Sequence, residues 1–203
     1  MVKDSRYPKV LIVNSQSVYE NNATGITLRS MFKNYPSNRV MELCYWKRDI
    51  VNEENIISSS LVMPKLSRPF IYLFRQKLGN NLSNKLNKSI LADAKSGNSK
   101  SVSKKENIKT FVRGLLDISP IFFSNETLKI IDHFKPDVIY TMGSTISVLK
   151  TARFLSKRYD SKVVLHFMDN WRETLYSNSK LMKPFKIILN RWIEKVENSN
   201  FSG

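Results

Sequence analysis

Short unbroken apolar runs alternate along this chain with stretches in which apolar residues recur every third or fourth position. Residues 9–14, KVLIVN, are apolar and rich in β-branched side chains, the pattern of a strand buried on both faces of a parallel sheet. Thr24 then reads as a helix N-cap, and GITLRSMFKNY places Leu28, Met31, Phe32 and Tyr35 on one face before Pro36 stops the helix. Residues 39–46, RVMELCYW, read as the next strand. A strand–helix–strand unit of this kind is right-handed and lays its two strands parallel in one sheet.

The second half repeats this grammar. Pro136 introduces a strand at 137–142, DVIYTM, and Gly143 and Ser144 turn the chain into a helix. In that helix Ile146, Leu149, Ala152 and Phe154 or Leu155 face inward, with Lys150, Arg153 and Lys157 outward. A further strand is expected at 162–168, KVVLHFM. The closing helix, KLMKPFKIILNRWIEKVEN, carries Leu181, Phe185, Ile188, Leu189, Trp192, Ile193 and Val196 on one stripe, with Pro184 tolerated in its first turn and Trp192 read as core. The pattern predicts one α/β domain over 1–203, a doubly wound, mostly parallel Rossmann-like sheet. It is interrupted by a helical insertion at about 64–116, with helices near 69–78, 82–94 and 106–116 and a Ser/Gly/Lys loop, KSGNSKSVSKK, between the last two.

Charge sharpens this picture. The 203 residues carry 33 Lys plus Arg against 17 Asp plus Glu, a net charge of +16. Between Leu61 and Arg113 there are twelve basic and two acidic residues, so the excess is concentrated in the insertion. Such a surplus attracts polyanions: nucleic acid, an anionic bilayer or phosphorylated substrates. The single cysteine, Cys44, excludes an internal disulfide and a Cys-cluster zinc site, and with only His133 and His166 no histidine-rich metal site is expected. Neither a signal peptide nor a membrane-length apolar stretch is recognisable, which points to the cytoplasm.

Ligands of doubly wound sheets bind beyond the carboxyl ends of the strands, and three places there carry candidate chemistry. The loop 14–25, NSQSVYENNATG, leads into the first helix, where the start of the helix at Thr24, Gly25, Ile26 and Thr27 offers backbone amides to a diphosphate. A plain helix cap explains the same residues equally well, since this is neither GxGxxG nor a P-loop. His166 and Asp169 leave the sheet at the same edge, where a carboxylate near a hydroxyl raises its nucleophilicity; Trp171 and Tyr176 suit sugar stacking and Arg172 suits phosphate. In GSTIS, 143–147, Ser144 or Thr145 caps a helix and faces this edge too. No GxSxG elbow supports a hydrolase triad.

Three segments together, KVLIVNSQSVYENNATGITLRSMF, FKPDVIYTMGS and SKVVLHFMDNWRET, resemble the N-terminal half of a GT-B glycosyltransferase of the family 4 type. The likeness spans roughly 1–60 and 120–203 and extends through the closing helix to ENSNFSG. It implies transfer of a sugar from a nucleotide-sugar co-substrate to an acceptor bound mainly in this domain, usually with retained configuration and without a metal or other cofactor. Gly25 would then lie against the donor diphosphate, His166 near the donor sugar and Asp169 near the acceptor hydroxyl, with Ser144, Trp171 and Arg172 toward the acceptor. The chain departs from the family in having ATG where paired glycines are usual, and in separating His166 from Asp169.

The family holds its nucleotide chiefly on a second Rossmann-like domain, and the sequence reaches Gly203 before one. The chain alone is therefore expected to be catalytically incompetent, whether as a truncated product, an excised domain or one half of a split enzyme joined by a partner chain carrying the C-terminal half. The basic segment, RPFIYLFRQKL above all, suits peripheral contact with the inner face of an anionic membrane, where lipid-linked or surface-polysaccharide acceptors are glycosylated. Two other readings are a noncatalytic α/β subunit that binds acceptor or membrane, and a nucleic-acid-binding domain, which lacks any recognisable motif.

Overall fold

The computed structural model describes residues 7–46, 57–63, 111, 114–115, 117–118, 120–143, 145–167 and 182–198. Strand β1 is Val10–Gln16, followed by helix α1, Ala23–Phe32, a short 3-10 turn at Ser37–Arg39, β2 at Val40–Trp46 and β3 at Ser59–Val62. After the insertion come α2, Asn125–Phe134, β4, Val138–Thr141, α3, Ile146–Tyr159, β5, Lys162–Leu165, and α4, Lys183–Asn198. The strands form one five-stranded sheet in the order β3-β2-β1-β4-β5. Every pairing is parallel, with Val10 beside both Val40 and Val138, and Ile139 beside Val163.

The expected α/β class with a parallel sheet is thus the observed one. Alternation along β1 divides the core in two. Val10 and Ile12 point to the α1 side with Leu28, Phe32, Val40 and Tyr140. Leu11 and Val13 point to the other side, against Leu43, Tyr45, Ile131, Leu149, Leu155, Leu189 and Ile193. Helix α1 covers one face, and α2, α3 and α4 cover the other. A side chain as large as Leu or Ile stabilises by about 1.5–3 kcal/mol when fully buried, so these two layers dominate the fold. Tyr45 crosses between elements: its hydroxyl donates to the Ser147 carbonyl at 3.1 Å and pairs with Thr151 Oγ1 at 2.6 Å, joining β2 to α3.

Several expectations are corrected. β1 runs on to Gln16, because Gln16 still pairs with Trp46 of β2. The α1 N-cap is Asn22, not Thr24: the Asn22 Oδ1 accepts the Gly25 N–H at 2.8 Å. Met31 is 48% exposed, its inward place taken by Arg29 at 7%. In α3 it is Leu155 that is buried, while Phe154 is 45% exposed and stacks on Phe123 with ring centroids 4.8 Å apart. Lys150 is half-buried, its Nζ donating to the Ile118 carbonyl at 2.9 Å, and burial lowers its pKa. Trp192 packs at the margin of the core with Arg153 and Lys195 over its ring. Neither β3 nor α2 was expected.

Of the insertion helices, those at 69–78 and 82–94 lie outside the described residues. Phe111, Gly114 and Leu115 of the third are helical, as is Asp117 beyond its expected end. It joins the domain closely. A Cβ on Gly114 would fall 2.8 Å from the Phe185 ring of α4, and Phe111 meets that ring edge-on at 5.3 Å. Cys44 is a buried thiol of β2 that forms no disulfide. Among the described residues no helix is long and apolar enough to cross a membrane, and no group of three or more His, Cys, Asp or Glu could hold a metal ion.

Candidate functional site

β1 and β4 are neighbours at the centre of the sheet, and the helices that follow them leave to opposite faces, α1 to one and α3 to the other. Divergence of this kind opens a crevice at the carboxyl ends of the two strands. A cavity of about 60 Å³ lies there, lined by Asn14, Ser15, Gln16, Thr24 and Met142. The end of β1, the start of α1 and the end of β4 therefore meet at one place. A larger hollow of about 450 Å³, lined by Met41, Ser58, Lys129, Ile130, His133 and Phe134, sits against α2 and the start of β2, away from the strand exits.

Asn14 is 3% exposed. Its Oδ1 accepts the Met142 backbone N–H at 3.1 Å, a bond that ties β1 to β4 and fixes the amide orientation, because a backbone N–H only donates. Among the described residues the Asn14 Nδ2 has no hydrogen-bond partner. An unpaired buried donor costs about 1–3 kcal/mol, so the switch point carries an unmet demand for an oxygen.

The loop 14–25 is held from below by a buried carboxylate. Glu42, in β2, is fully buried and accepts from the Ser17 hydroxyl at 2.9 Å, from the Val18 N–H and from the Ser60 hydroxyl. Glu20 accepts from Gln16 Nε2 at 2.9 Å and Asn22 Nδ2 at 3.1 Å. Arg29 reaches back from α1 to donate to the Val18 and Glu20 carbonyls at 2.7 and 3.0 Å. Gly25 is where this loop lies on the helix: a Cβ there would stand 2.1 Å from the Glu20 carbonyl oxygen. The glycine thus serves close backbone packing within the chain. Its N–H is bound by Asn22 Oδ1, and that of Ile26 by the Asn22 carbonyl at 2.9 Å. Of the four residues expected at a diphosphate, Thr24 alone lines the crevice.

The start of α3 is equally occupied. Thr145 is its N-cap, and fully buried Asp117, from the end of the insertion, accepts from the Ile146 N–H at 2.8 Å, the Ser147 N–H at 3.2 Å and the Ser147 hydroxyl at 2.7 Å. A carboxylate of the chain itself therefore sits where a helix N-terminus would draw an external anion. Gly143, at φ 61°, makes the preceding turn, a conformation glycine adopts without strain.

β5 ends at Leu165, and the half-buried His166 follows, its backbone N–H donating to the Thr141 carbonyl at 2.9 Å. Its Nδ1 is hydrogen-bonded to the hydroxyl of Tyr140 in β4, and the two rings meet edge-on, 6.0 Å apart. Tyr140 is 5% exposed, and burial pushes its pKa up to about 12. It is a neutral phenol at any physiological pH. Asp169, Ser144, Trp171 and Arg172 lie outside the described residues, so of the pair expected from sequence only His166 is placed, at the carboxyl edge of the sheet beside Tyr140.

Asn14, Glu42, Asp117 and Tyr140 were not picked out as site residues from sequence. A glutamate inside the apolar run VMELCYW and an asparagine closing LIV were the available signals, since a polar side chain in a strand buried on both faces needs a local partner. No protein-family model matches the chain, and no curated protein or solved structure does.

Proposed function

We propose that this domain is the acceptor-side half of a glycosyltransferase that moves a sugar from a nucleotide-sugar to a glycan or lipid-linked acceptor, a second α/β unit supplying the nucleotide-binding half. One observation carries the reading. The ends of β1 and β4 and the start of α1 converge on a crevice at the strand-order switch, which is lined by Asn14, whose buried Nδ2 has no partner among the described residues. His166 stands at the same edge of the sheet. A crevice bounded by asparagine, serine, glutamine and threonine suits hydroxyl groups. The resemblance of the three segments to GT-B enzymes agrees with this chemistry.

The test is titration of the isotopically labelled chain with nucleotide-sugars and with simple glycosides, followed through the amides of Ser15, Gln16, Thr24 and Met142. Glycosides are expected to shift these signals, and Asn14→Asp, which keeps the bond to Met142 but removes the donor, is expected to abolish the response. Shifts that spare all four residues overturn the reading.

A specific observation favours a second reading, a noncatalytic acceptor-binding subunit. The Gly25 and Ile26 amides and the start of α3 already serve groups of the chain itself. Glycoside binding without any response to nucleotide-sugars, and no sugar transfer when a donor-binding chain is added, selects that alternative.

A further inference from the structure

We infer that Tyr140 holds His166 as its Nε2–H tautomer, so that the imidazole meets a ligand oxygen as a hydrogen-bond donor and not as a proton acceptor. The Tyr140 hydroxyl has two neighbours, His166 Nδ1 and, at 3.4 Å, the Met31 sulfur. It owns one proton. An Nδ1–H would donate to the phenol oxygen and leave the phenol proton to the thioether, a weak acceptor. A bare Nδ1 takes that proton in a strong O–H···N bond, and on that balance the proton goes to Nδ1. A neutral imidazole carries one N–H, which then resides on Nε2.

Neither ring is free to escape this arrangement. Tyr140 is buried, with the Phe32 ring edge-on against it at 5.5 Å and 89°. His166 is tied through its own N–H to Thr141 of the adjoining strand. The Nε2 has no hydrogen-bond partner among the described residues, and the side chain is half-exposed at the carboxyl edge of the sheet. Tyr140 is thus a positioning residue, acting through His166. The histidine would steady an oxygen acceptor, a sugar hydroxyl or a phosphoryl oxygen, and general-base work would fall to another group. The tautomer stands on the contacts alone; the ligand oxygen rests on the sugar-transfer reading.

Long-range proton–nitrogen correlation spectra of the full chain test both parts. The chain has two histidines, so His133→Gln assigns the signals. At about pH 9, above the ordinary imidazole range, His166 is expected to show a bare Nδ1 and a protonated Nε2. Tyr140→Phe, which keeps the ring and the packing, should blur this into a mixture of tautomers, while Met31→Leu should leave it unchanged. A protonated Nδ1 in the parent protein, or a tautomer that responds to Met31→Leu and not to Tyr140→Phe, overturns the inference. Methyl glucoside and inorganic phosphate are then added as separate probes, and a shift of the Nε2 proton with either supports the donor role and names the oxygen. If the tautomer is as stated and neither probe moves that proton, the donor role falls and the Tyr140 contact stands as structural, while the sugar-transfer reading is decided separately by the amides of Ser15, Gln16, Thr24 and Met142.

Discussion

Gly25 sits in the first turn of α1, where alanine would ordinarily be preferred by about 1 kcal/mol. Here the sign reverses. The Glu20 carbonyl lies 2.1 Å from where the methyl would go, and a backbone oxygen cannot rotate away as a side chain can. Gly25→Ala is expected to destabilise by about 3 kcal/mol, the upper range for overpacking, measured by urea unfolding; a stabilised variant would show that the loop yields. Tyr140 makes a prediction about pH. Its folded pKa, raised by burial from 10.0 to about 12, means that the unfolded chain loses this proton first. The contribution is complete below pH 10 and is lost as pH climbs toward 12. Tyr140→Phe should therefore lose less stability than the parent between those limits, whereas parallel curves would deny the phenol any share in the alkaline decline.

Side chains set the helix starts, and Asn22 at α1 and Asp117 at α3 differ in depth. Asn22 gives α1 one bond at the surface, and its replacement by alanine is expected to cost about 1 kcal/mol. Asp117 satisfies two backbone amides and a hydroxyl of α3 from a fully buried position, so Asp117→Ala strands several donors and should cost about 3 kcal/mol. Similar losses at the two sites, in paired denaturation curves, would contradict the burial argument. These caps also show which elements the sequence made legible. β1, β2, β4 and β5 announce themselves through unbroken apolar runs, and α3 and α4 through stripes at helical spacing. β3 has the sequence SSLV, too short and polar to signal a strand, and exists because Met41–Cys44 of β2 offer it a ladder. α2 buries only Thr127, Ile131 and Phe134 and leaves Ile130 42% exposed, so its stripe is thin. Asn22 and Thr24 are both good capping residues by type, and the position of Asn22 Oδ1 over the Gly25 N–H decides between them.

At the scale of the molecule, charge and architecture are segregated: the +16 surplus is concentrated between Leu61 and Arg113, whereas the sheet brings the polar loop ends together at one edge. In the proposed reading that basic segment meets an anionic bilayer. With each basic residue worth about 1 kcal/mol near such a surface, reversing Lys77, Lys85 and Lys88 to glutamate should weaken binding to phosphatidylserine vesicles by about 100-fold; unchanged cosedimentation would remove the membrane from the account. The doubly wound class was legible because four strong strands and their helices repeat one motif. The crevice chemistry was not, since it depends on Asn14 and Met142 meeting across 128 positions of sequence.

β5 is the last strand of the described sheet, and it begins with an exposed lysine followed by buried Val163 and the 45%-exposed Val164. A short β-prone run with an exposed valine can draw a second molecule, and a charge at its head is a usual deterrent. Lys162→Val would turn the run into VVVL, and the expected result is concentration-dependent light scattering at levels where the parent stays monodisperse. Lys162 would then be the residue whose charge keeps an exposed valine from drawing molecules together.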